Sequence, residues 1–197
     1  MLDYNLVDYY ELGMHDKVVA SILEEAKKKL IHHMKDNKSI RKNVIIIDID
    51  DTAINNYYFF KDNNFIDTIE VWDMLTEKQD LPAVFPILDF YNFCIFNKFS
   101  IIFISARLFR YYKATQALLN NASYYIYDAL YLLPKNVTNY KDSPHNFKEN
   151  LRKKLILSGY NILMNIGDQK SDLEGGYAKY HIKIPNYLYG DQEYARS

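Results

Sequence analysis

The sequence is poor in the features that mark specialised classes of protein. Its 197 residues include one cysteine, Cys94, so an intramolecular disulfide and a cysteine-rich zinc site are both excluded. Lys and Arg number 24 against 25 Asp and Glu, and a chain so balanced is not held to nucleic acid or to a membrane by bulk electrostatics. No apolar run approaches the roughly 20 residues of a spanning helix. These absences argue against a nucleic-acid polymer or a membrane as partner.

What is present fits a folded domain of ordinary composition. Hydrophobic residues make up 49% and charged residues 25% of the chain, and the length supports one domain, or one domain with a small cap. Aromatic residues are abundant, with 19 Tyr and 11 Phe. The N-terminus lacks a basic start followed by an apolar stretch, so it is not a signal peptide as it stands. We therefore expect a cytoplasmic protein, or a secreted or periplasmic one whose leader has been removed.

Hydrophobic patterning predicts strands that alternate with helices. Short apolar runs rich in β-branched residues indicate buried strands at 43–48, 100–105 and 161–167. Helices are predicted at 15–35, 84–97, 108–121 and 146–158. Such alternation is typical of a parallel sheet with helices on both faces, which predicts a three-layer α/β/α fold. His32 and His33 end the first helix, where adjacent positions do not face one another, so a solvated helix end is favoured over a metal site.

The stretch between the first two strands is too long for a simple connection. Residues 52–83 are polar and aromatic, and long connections of this kind tend to be lids or binding loops. We interpret the insertion, about 53–83, as a small and mainly helical cap over the strand ends. The rest divides into an N-terminal helical segment, 1–42, and a core domain, 43–197.

Acidic residues follow two of the predicted strands. Asp48 and Asp50 end the first strand and point to the same side of an extended chain. Two carboxylates this close repel each other unless a cation or a shared proton relieves them. Asp168 and Asp172 follow the third strand, spaced for one helix face or turn. Because ligands bind at the carboxyl ends of parallel strands, this pattern predicts an Mg²⁺ site there.

An anionic substrate at such a site needs basic and hydroxyl groups beside the acids. Ser105 ends the middle strand and Arg107 follows it, and Lys148 and Arg152 lie one turn apart on the helix before the third strand. Taken singly, each of these residues is more often a cap, a turn residue or a solvated helix residue. Their combined order along the chain favours a joint functional role.

This order of motifs resembles the haloacid dehalogenase (HAD) superfamily of phosphotransferases. Its first motif, Asp-x-Asp-x-Thr after a hydrophobic strand, corresponds to residues 48–52, and its strand-terminal Thr or Ser corresponds to Ser105. Its Lys corresponds to Lys148, and its acidic pair to Asp168 and Asp172. The resemblance implies the Rossmann-like core of that superfamily.

A narrower resemblance, to subfamily IIIB, covers nearly the whole chain. This branch includes bacterial class C acid phosphatases and plant vegetative storage proteins. The resemblance rests on Trp72 in the cap, on the spacing of Lys148 from Gly159, and on a closing Pro-Asn-x-x-Tyr-Gly segment. It places the C-terminal segment 183–191 near the site.

Two positions depart from the family pattern. Asp51 stands where the family usually has Glu, and Ala106 stands where it usually has Gly or Asn. Ser105, just before Ala106, keeps the hydroxyl that binds phosphate. Some storage-protein relatives have lost the nucleophile, whereas Asp48 is present here.

The resemblance implies an acid phosphatase that hydrolyses phosphate monoesters through an aspartyl-phosphate. Asp48 would be the nucleophile and Asp50 the general acid and base. Mg²⁺ would be held by the Asp48 carboxylate, the Asp50 backbone carbonyl and Asp168. Ser105 and Lys148 would stabilise the phosphoryl oxygens. Asp172, Arg107 and Arg152 would surround these groups and orient them.

Substrate choice is predicted to come from the cap and the C-terminal segment. Tyr58, Trp72 and Tyr189 could stack on a base or an aryl group, although most aromatics of a small cap fill its own core. Asn55, which follows the first motif, is a further candidate for substrate contact. We therefore expect nucleoside monophosphates or similar small phosphate esters as substrates.

Alternatives stay open. A sugar-phosphate phosphatase or phosphotransferase of the same superfamily would use the same catalytic residues. A non-catalytic storage or binding protein would keep the fold, although the presence of Asp48 argues against it. By family habit the protein could be a homodimer.

Overall fold

The centre of the molecule is a five-stranded parallel sheet. The computed structural model describes residues 5–36, 42–134 and 143–189. The strands are β1 Asn43–Ile47, β2 Ser100–Leu108, β3 Ala129–Leu133, β4 Asn161–Gly167 and β5 Tyr180–Lys183. They lie in the spatial order β3-β2-β1-β4-β5, and every neighbouring pair is parallel. β1 is therefore central, and its carboxyl end lies between those of β2 and β4.

Helices occupy much of the remaining described chain. They are α1 Leu6–Glu11, α2 Met14–Asp36, α3 Tyr57–Asp62, α4 Ile69–Glu77, α5 Phe85–Phe96, α6 Tyr112–Asn121, α7 Ser143–Leu157 and α8 Lys170–Leu173. A 3₁₀ turn, Phe109–Tyr111, joins β2 to α6. Across the described ranges, no helix combines the length and the apolar character needed to cross a membrane.

Side chains of the central strand fill two cores on opposite faces of the sheet. Ile45 and Ile47 belong to a core shared with α2, α5 and α6. Val44 and Ile46 belong to a second core, shared with α7. Successive side chains of a strand point to opposite faces, so an unbroken apolar run serves both. Each such buried side chain contributes about 1.5–3 kcal/mol to folding. The predicted three-layer α/β/α fold is confirmed.

The cap is made by α3 and α4, between β1 and α5. Its chain enters and leaves through paired backbone, since the Asn55 N–H donates to the Pro82 carbonyl at 2.8 Å and the Val84 N–H donates to the Ala53 carbonyl at 2.9 Å. An apolar cluster joins the cap to the C-terminal part of the described chain, formed by Tyr57, Phe59, Phe60, Val71, Leu75, Leu188 and Tyr189. Most of these aromatics therefore fill the interior of the cap.

The structure also differs from the sequence patterns. α1, β3 and β5 were not predicted, because each is short, at six, five and four residues. β2 continues past Ser105 to Leu108 through an irregularity in its pairing with β3. The interpretation of His33 as part of a solvated helix end is wrong, because its side chain is buried on the core side of α2 at 3% exposure.

Candidate active site

The acids predicted to act together meet at the carboxyl ends of the central strands. Asp48 follows β1, and its backbone N–H donates to the Ile166 carbonyl of β4 at 2.9 Å. Asp168 follows β4, and Asp172 lies one turn further on, in α8. The carboxylates of Asp48, Asp168 and Asp172 come within 4.8 Å of one another, and all three are buried. The parallel sheet thus brings together residues more than 100 positions apart.

Lys148 of α7 contacts two carboxylates of this cluster, and the Lys183 ammonium donates to the backbone carbonyl of Asp168. The Lys148 ammonium donates to Asp48 Oδ1 at 2.6 Å and also to Asp172. Burial opposes the charge on Lys148, but the two carboxylates outweigh it and raise its pKa. The pKa of Asp48 is nevertheless raised as well, first by burial and then by Asp172. The three carboxylates thus share one ammonium, which contacts two of them.

Asp168 is held in place by neutral donors on both of its oxygens. The Thr52 hydroxyl donates to Oδ1 at 3.1 Å, and the side-chain amides of Gln169 and Asn186 donate to Oδ2 at 2.6 and 2.7 Å. Burial, followed by the charge of Asp172, raises the pKa of Asp168 to about 6. The orientation of this carboxylate is therefore set before any ligand arrives.

The backbone around Asp172 is fixed by Arg152. The guanidinium donates to the backbone carbonyls of Asp172, at 2.8 Å, of Gly176, at 3.1 Å, and of Glu174. Arg152 thus supports the backbone of α8 at Asp172 and just beyond it. Gly167 is required beside it, because a Cβ at this position would overlap the Asp172 side chain.

Asp50 is bound by a different cation. Arg107 Nε and Nη2 donate to its two oxygens at 2.9 and 2.8 Å, and the Asn56 amide donates to it at 2.9 Å. Burial alone would raise the pKa of Asp50, but the Arg107 guanidinium outweighs it and holds the pKa below its usual value. Arg107 Nη1 is buried with no protein partner among the described residues, which leaves its two N–H groups for a bound molecule. The role predicted for the Asp50 backbone carbonyl stays a prediction.

Asp51, the first departure from the family pattern, has its own set of partners. Its backbone is left-handed, at φ +51°, a conformation that Asp tolerates better than most residues. The Asn56 N–H donates to its carboxylate at 3.0 Å, and the Tyr189 hydroxyl donates to the same group. Burial, then the charge of Asp168, raises the pKa of Asp51 to about 8. Asp51 therefore links the first motif to the C-terminal segment.

A cavity of about 640 Å³ opens over these groups. Asp48, Asp50, Lys148 and Asp168 form part of its lining, together with Ser105, whose hydroxyl accepts the Arg107 N–H at 3.1 Å. Aromatic and apolar groups form another part, among them Ile69, Trp72, Leu108, Tyr111 and Tyr189. A small anionic ester with an apolar or aromatic leaving group fits such a lining.

The predicted substrate contacts divide into two pairs. Trp72 and Tyr189 line the cavity, with ring centroids 4.9 Å apart and planes at 80°. Asn55 and Tyr58 do not contribute to the lining: the Asn55 side chain accepts the Tyr57 N–H at the start of α3, and Tyr58 is 53% exposed. Residues 190 and 191 of the predicted C-terminal segment lie outside the described residues.

Two buried asparagines near the site were missed by the sequence reasoning. Asn56 bridges Asp50 and Asp51, and Asn186 contacts Asp168. The Pro-Asn segment was noted, but Asn186 itself was not selected. Asn56 carries no local pattern that separates it from Asn55, so only the fold identifies it.

The donor set fits a hard divalent cation. The three acids offer carboxylate oxygens, which such cations prefer. The three carboxylates outnumber the Lys148 ammonium, which contacts two of them. The structure therefore supports a divalent-metal site, with the Asp172 carboxylate as a member of the group.

A parallel α/β fold with this acid cluster, a buried lysine and a cap defines a metal-dependent phosphoryl-transfer class. Within it, the family description "HAD superfamily, subfamily IIIB (Acid phosphatase)" matches residues 4–192. The chain belongs to this family and is, by that membership, a phosphatase that acts on small phosphate substrates. The resemblance stated from the sequence motifs is confirmed.

Individual relatives agree with the family. The chain is 30% identical over 187 residues to the Stem 28 kDa glycoprotein of Glycine max, covering 84% of this chain and 73% of that protein. It is 27% identical over 153 residues to Acid phosphatase 1 of Solanum lycopersicum, covering 75% of this chain and 59% of that protein. The class C acid phosphatase structure from Bacillus anthracis matches 95% of this chain and 84% of its own, with a TM-score of 0.75 at 19% identity, and so shares the fold.

Proposed function

We propose that the protein is an Mg²⁺-dependent phosphomonoesterase that forms an aspartyl-phosphate on Asp48. The observation that carries this proposal is the position of Asp48. Asp48 directly follows the central strand and lines the cavity. One of its carboxylate oxygens lies 2.6 Å from Lys148 Nζ, beside two further acids. A buried carboxylate so placed can meet an ester phosphorus in line with its leaving oxygen.

The first step transfers the phosphoryl group to the enzyme. An Asp48 oxygen forms a bond to phosphorus while the bond from phosphorus to the ester oxygen breaks. The protonated form of Asp50 gives its proton to that leaving oxygen, so an alcohol departs. Arg107 holds the pKa of Asp50 low, so this form is the minor one and the step is favoured by acidic pH. Lys148 and Ser105, which line the same cavity, stabilise the phosphoryl oxygens as charge moves onto them.

The second step releases inorganic phosphate. Asp50, again a carboxylate, takes a proton from a water that attacks phosphorus, and the bond from phosphorus to Asp48 breaks. Arg107 and Asn56 hold the Asp50 carboxylate so that the same group serves both steps. Asp48, Asp168 and the Asp50 carbonyl would hold Mg²⁺, which would supply positive charge to offset the acids and the phosphate.

Nucleoside monophosphates are the proposed substrate class. Trp72 and Tyr189 share the cavity with the phosphate-binding residues, and a stacked base gains about 1–3 kcal/mol on an aromatic side chain. Sugar phosphates lack such a group and are the second candidate. A panel of nucleotides, sugar phosphates and alkyl phosphates, assayed with Mg²⁺, separates the two classes by kcat/KM.

Asp48→Asn tests the proposal directly. We expect the variant to fold and to bind Mg²⁺ weakly, with turnover lost, and we expect EDTA to abolish turnover of the unmodified protein. Substantial Mg²⁺-dependent activity in Asp48→Asn would contradict the nucleophile assignment.

A non-catalytic role is the second candidate. It is favoured by the 30% identity over 151 residues to Vegetative storage protein 2 of Arabidopsis thaliana, covering 75% of this chain and 56% of that protein. A protein that binds Mg²⁺ and phosphate but turns over no ester in the panel would favour this role.

A further inference from the structure

The C-terminal part of the described chain reaches the site without belonging to the sheet. We call residues 184–189, which follow β5, the site segment. Its Asn186 contacts Asp168 at 2.7 Å, and its Tyr189 contacts Asp51. One backbone bond, from the Ile184 N–H to the Gly167 carbonyl at 2.9 Å, ties its start to β4. Other contacts must therefore fix residues 185–187.

Those contacts come from the opposite end of the chain. His15 Nε2 lies 3.2 Å from the Pro185 carbonyl, and the His15 side chain is buried. The Tyr187 N–H is 3.5 Å from the Tyr10 hydroxyl. The Tyr187 ring meets the Tyr9 ring edge to face, with centroids 5.0 Å apart. We call residues 9–15 the N-terminal brace.

The brace is itself anchored on the cap. Tyr10 stacks between His15, at 4.8 Å, and Tyr57 of α3, at 4.7 Å and an interplanar angle of 9°. The Tyr57 hydroxyl donates to Glu11 at 3.1 Å. Tyr57 directly follows Asn56, which contacts Asp50 and Asp51. The brace thus touches both of the chain segments that flank the acid cluster.

We infer that His15 is a positioning residue for the metal site: it fixes the Pro185 carbonyl, and through it the Asn186 amide that orients Asp168. The inference deepens the proposed Mg²⁺-dependent function and rests on it for its cation. Asn186 is one residue beyond the carbonyl that His15 contacts, so rotation of this peptide moves the amide away from Asp168. Partners that orient a metal ligand typically change metal affinity about 10- to 100-fold when they are lost.

Two substitutions separate the hydrogen bond from the shape of the ring. His15→Phe keeps a ring beside Tyr10 and removes the contact to Pro185, whereas His15→Gln can place an amide N–H near the position of Nε2. His32→Phe is the matched control, because it removes an exposed imidazole from the other end of α2.

Hydrogen exchange on metal-free protein gives a readout independent of activity. The Tyr187 and Leu188 amides donate to Tyr10 and to the Asn186 side chain. We expect their exchange to be about fivefold faster in His15→Phe, the order expected for one hydrogen bond, and close to the unmodified rate in His15→Gln and His32→Phe. Unchanged exchange in His15→Phe would overturn the inference.

A calorimetric titration with Mg²⁺ tests the link to Asp168. We expect His15→Phe to weaken Mg²⁺ binding about tenfold, His15→Gln to restore it, and Asn186→Ala to weaken it at least as much. His15 acts through Asn186, so the two substitutions should not add. The double variant His15→Phe/Asn186→Ala should therefore bind Mg²⁺ no more weakly than the single variant Asn186→Ala. If the losses of Mg²⁺ affinity were additive in the double variant, or if His15→Phe bound Mg²⁺ as tightly as the unmodified protein, the positioning role of His15 would be refuted.

The two proposals fail in different ways. If the unmodified protein binds Mg²⁺ but hydrolyses no ester, the proposed function fails while the exchange and titration results still decide the role of His15. If the unmodified protein is active and His15→Phe matches it in affinity and exchange, the role of His15 fails alone. If no Mg²⁺ binds at all, the proposed cofactor and the link to Asp168 both fail.

Discussion

Arg107 donates hydrogen bonds to both carboxylate oxygens of Asp50, at 2.9 and 2.8 Å. Lys148 donates to Asp48, two residues earlier in the chain. Adjacent members of one motif are thus paired with different cations. The ammonium is a compact charge close to the proposed point of attack on phosphorus, whereas the guanidinium fork fixes the orientation of a carboxylate. This division suits a nucleophile and a proton carrier that act at one phosphorus.

Arg107→Lys tests the orientation of Asp50. Lysine keeps the charge but cannot present two parallel donors, so we expect kcat to fall about 10- to 100-fold with little change in KM. The loss should be larger for an alkyl phosphate than for 4-nitrophenyl phosphate, whose leaving oxygen needs less protonation. Steady-state kinetics on the two esters make the comparison. Equal losses would show that Arg107 acts on the phosphate and not through Asp50.

Lys148→Met should damage both catalysis and folding. It leaves buried carboxylates without their ammonium partner, and breaking a buried ion pair in this way costs about 3–5 kcal/mol. We expect turnover to fall at least about 100-fold. We also expect Mg²⁺ to raise the melting temperature more in this variant than in the unmodified protein.

Thermal unfolding with and without Mg²⁺ measures this effect. Lys153→Met, an exposed substitution on the same helix, is the matched control. If Mg²⁺ raised the melting temperature equally in Lys148→Met and in the unmodified protein, Lys148 would not be the main counter-charge of the acid cluster.

Gly167→Ala should disturb the acid cluster through a steric clash, without changing any charge. A methyl group there overlaps the Asp172 side chain, and overpacking of this kind costs about 1–3 kcal/mol. We expect lower stability together with weaker Mg²⁺ binding. Gly159→Ala is the contrast: it has φ +91° and open space around its Cβ, so it should cost about 1–2 kcal/mol of backbone strain without altering Mg²⁺ affinity. Denaturant unfolding and calorimetry distinguish the two variants.

Trp72→Leu should change substrate preference more than catalysis. Loss of a stacking surface is expected to lower kcat/KM for a nucleoside monophosphate about 5- to 160-fold relative to an alkyl phosphate, which corresponds to about 1–3 kcal/mol. Tyr58→Leu, outside the cavity, should leave this ratio unchanged. Parallel kinetics on both substrates measure the ratio. The same ratio in Trp72→Leu and the unmodified protein would remove the support for base stacking.

Some of the site could be predicted because its signals are local. Asp48 and Asp168 each directly follow a strand and Ser105 lies within one, and the strands are visible as short apolar runs. Parallel strands place their carboxyl ends at one edge of a sheet, so the convergence of these residues follows from the pattern. Even the cap was visible as a long polar and aromatic insertion.

The sequence by itself therefore determined the fold class, the family and the set of acids. The tertiary structure alone decided which cation serves which acid, since Arg107 reaches Asp50 across 57 positions and Lys148 reaches Asp48 across 100. It also decided that Asn56 and Asn186, and not Asn55, contact the acids. Hydrophobic periodicity reports which face of an element is buried, but side-chain pairing depends on distances between elements, and those exist only once the sheet has formed.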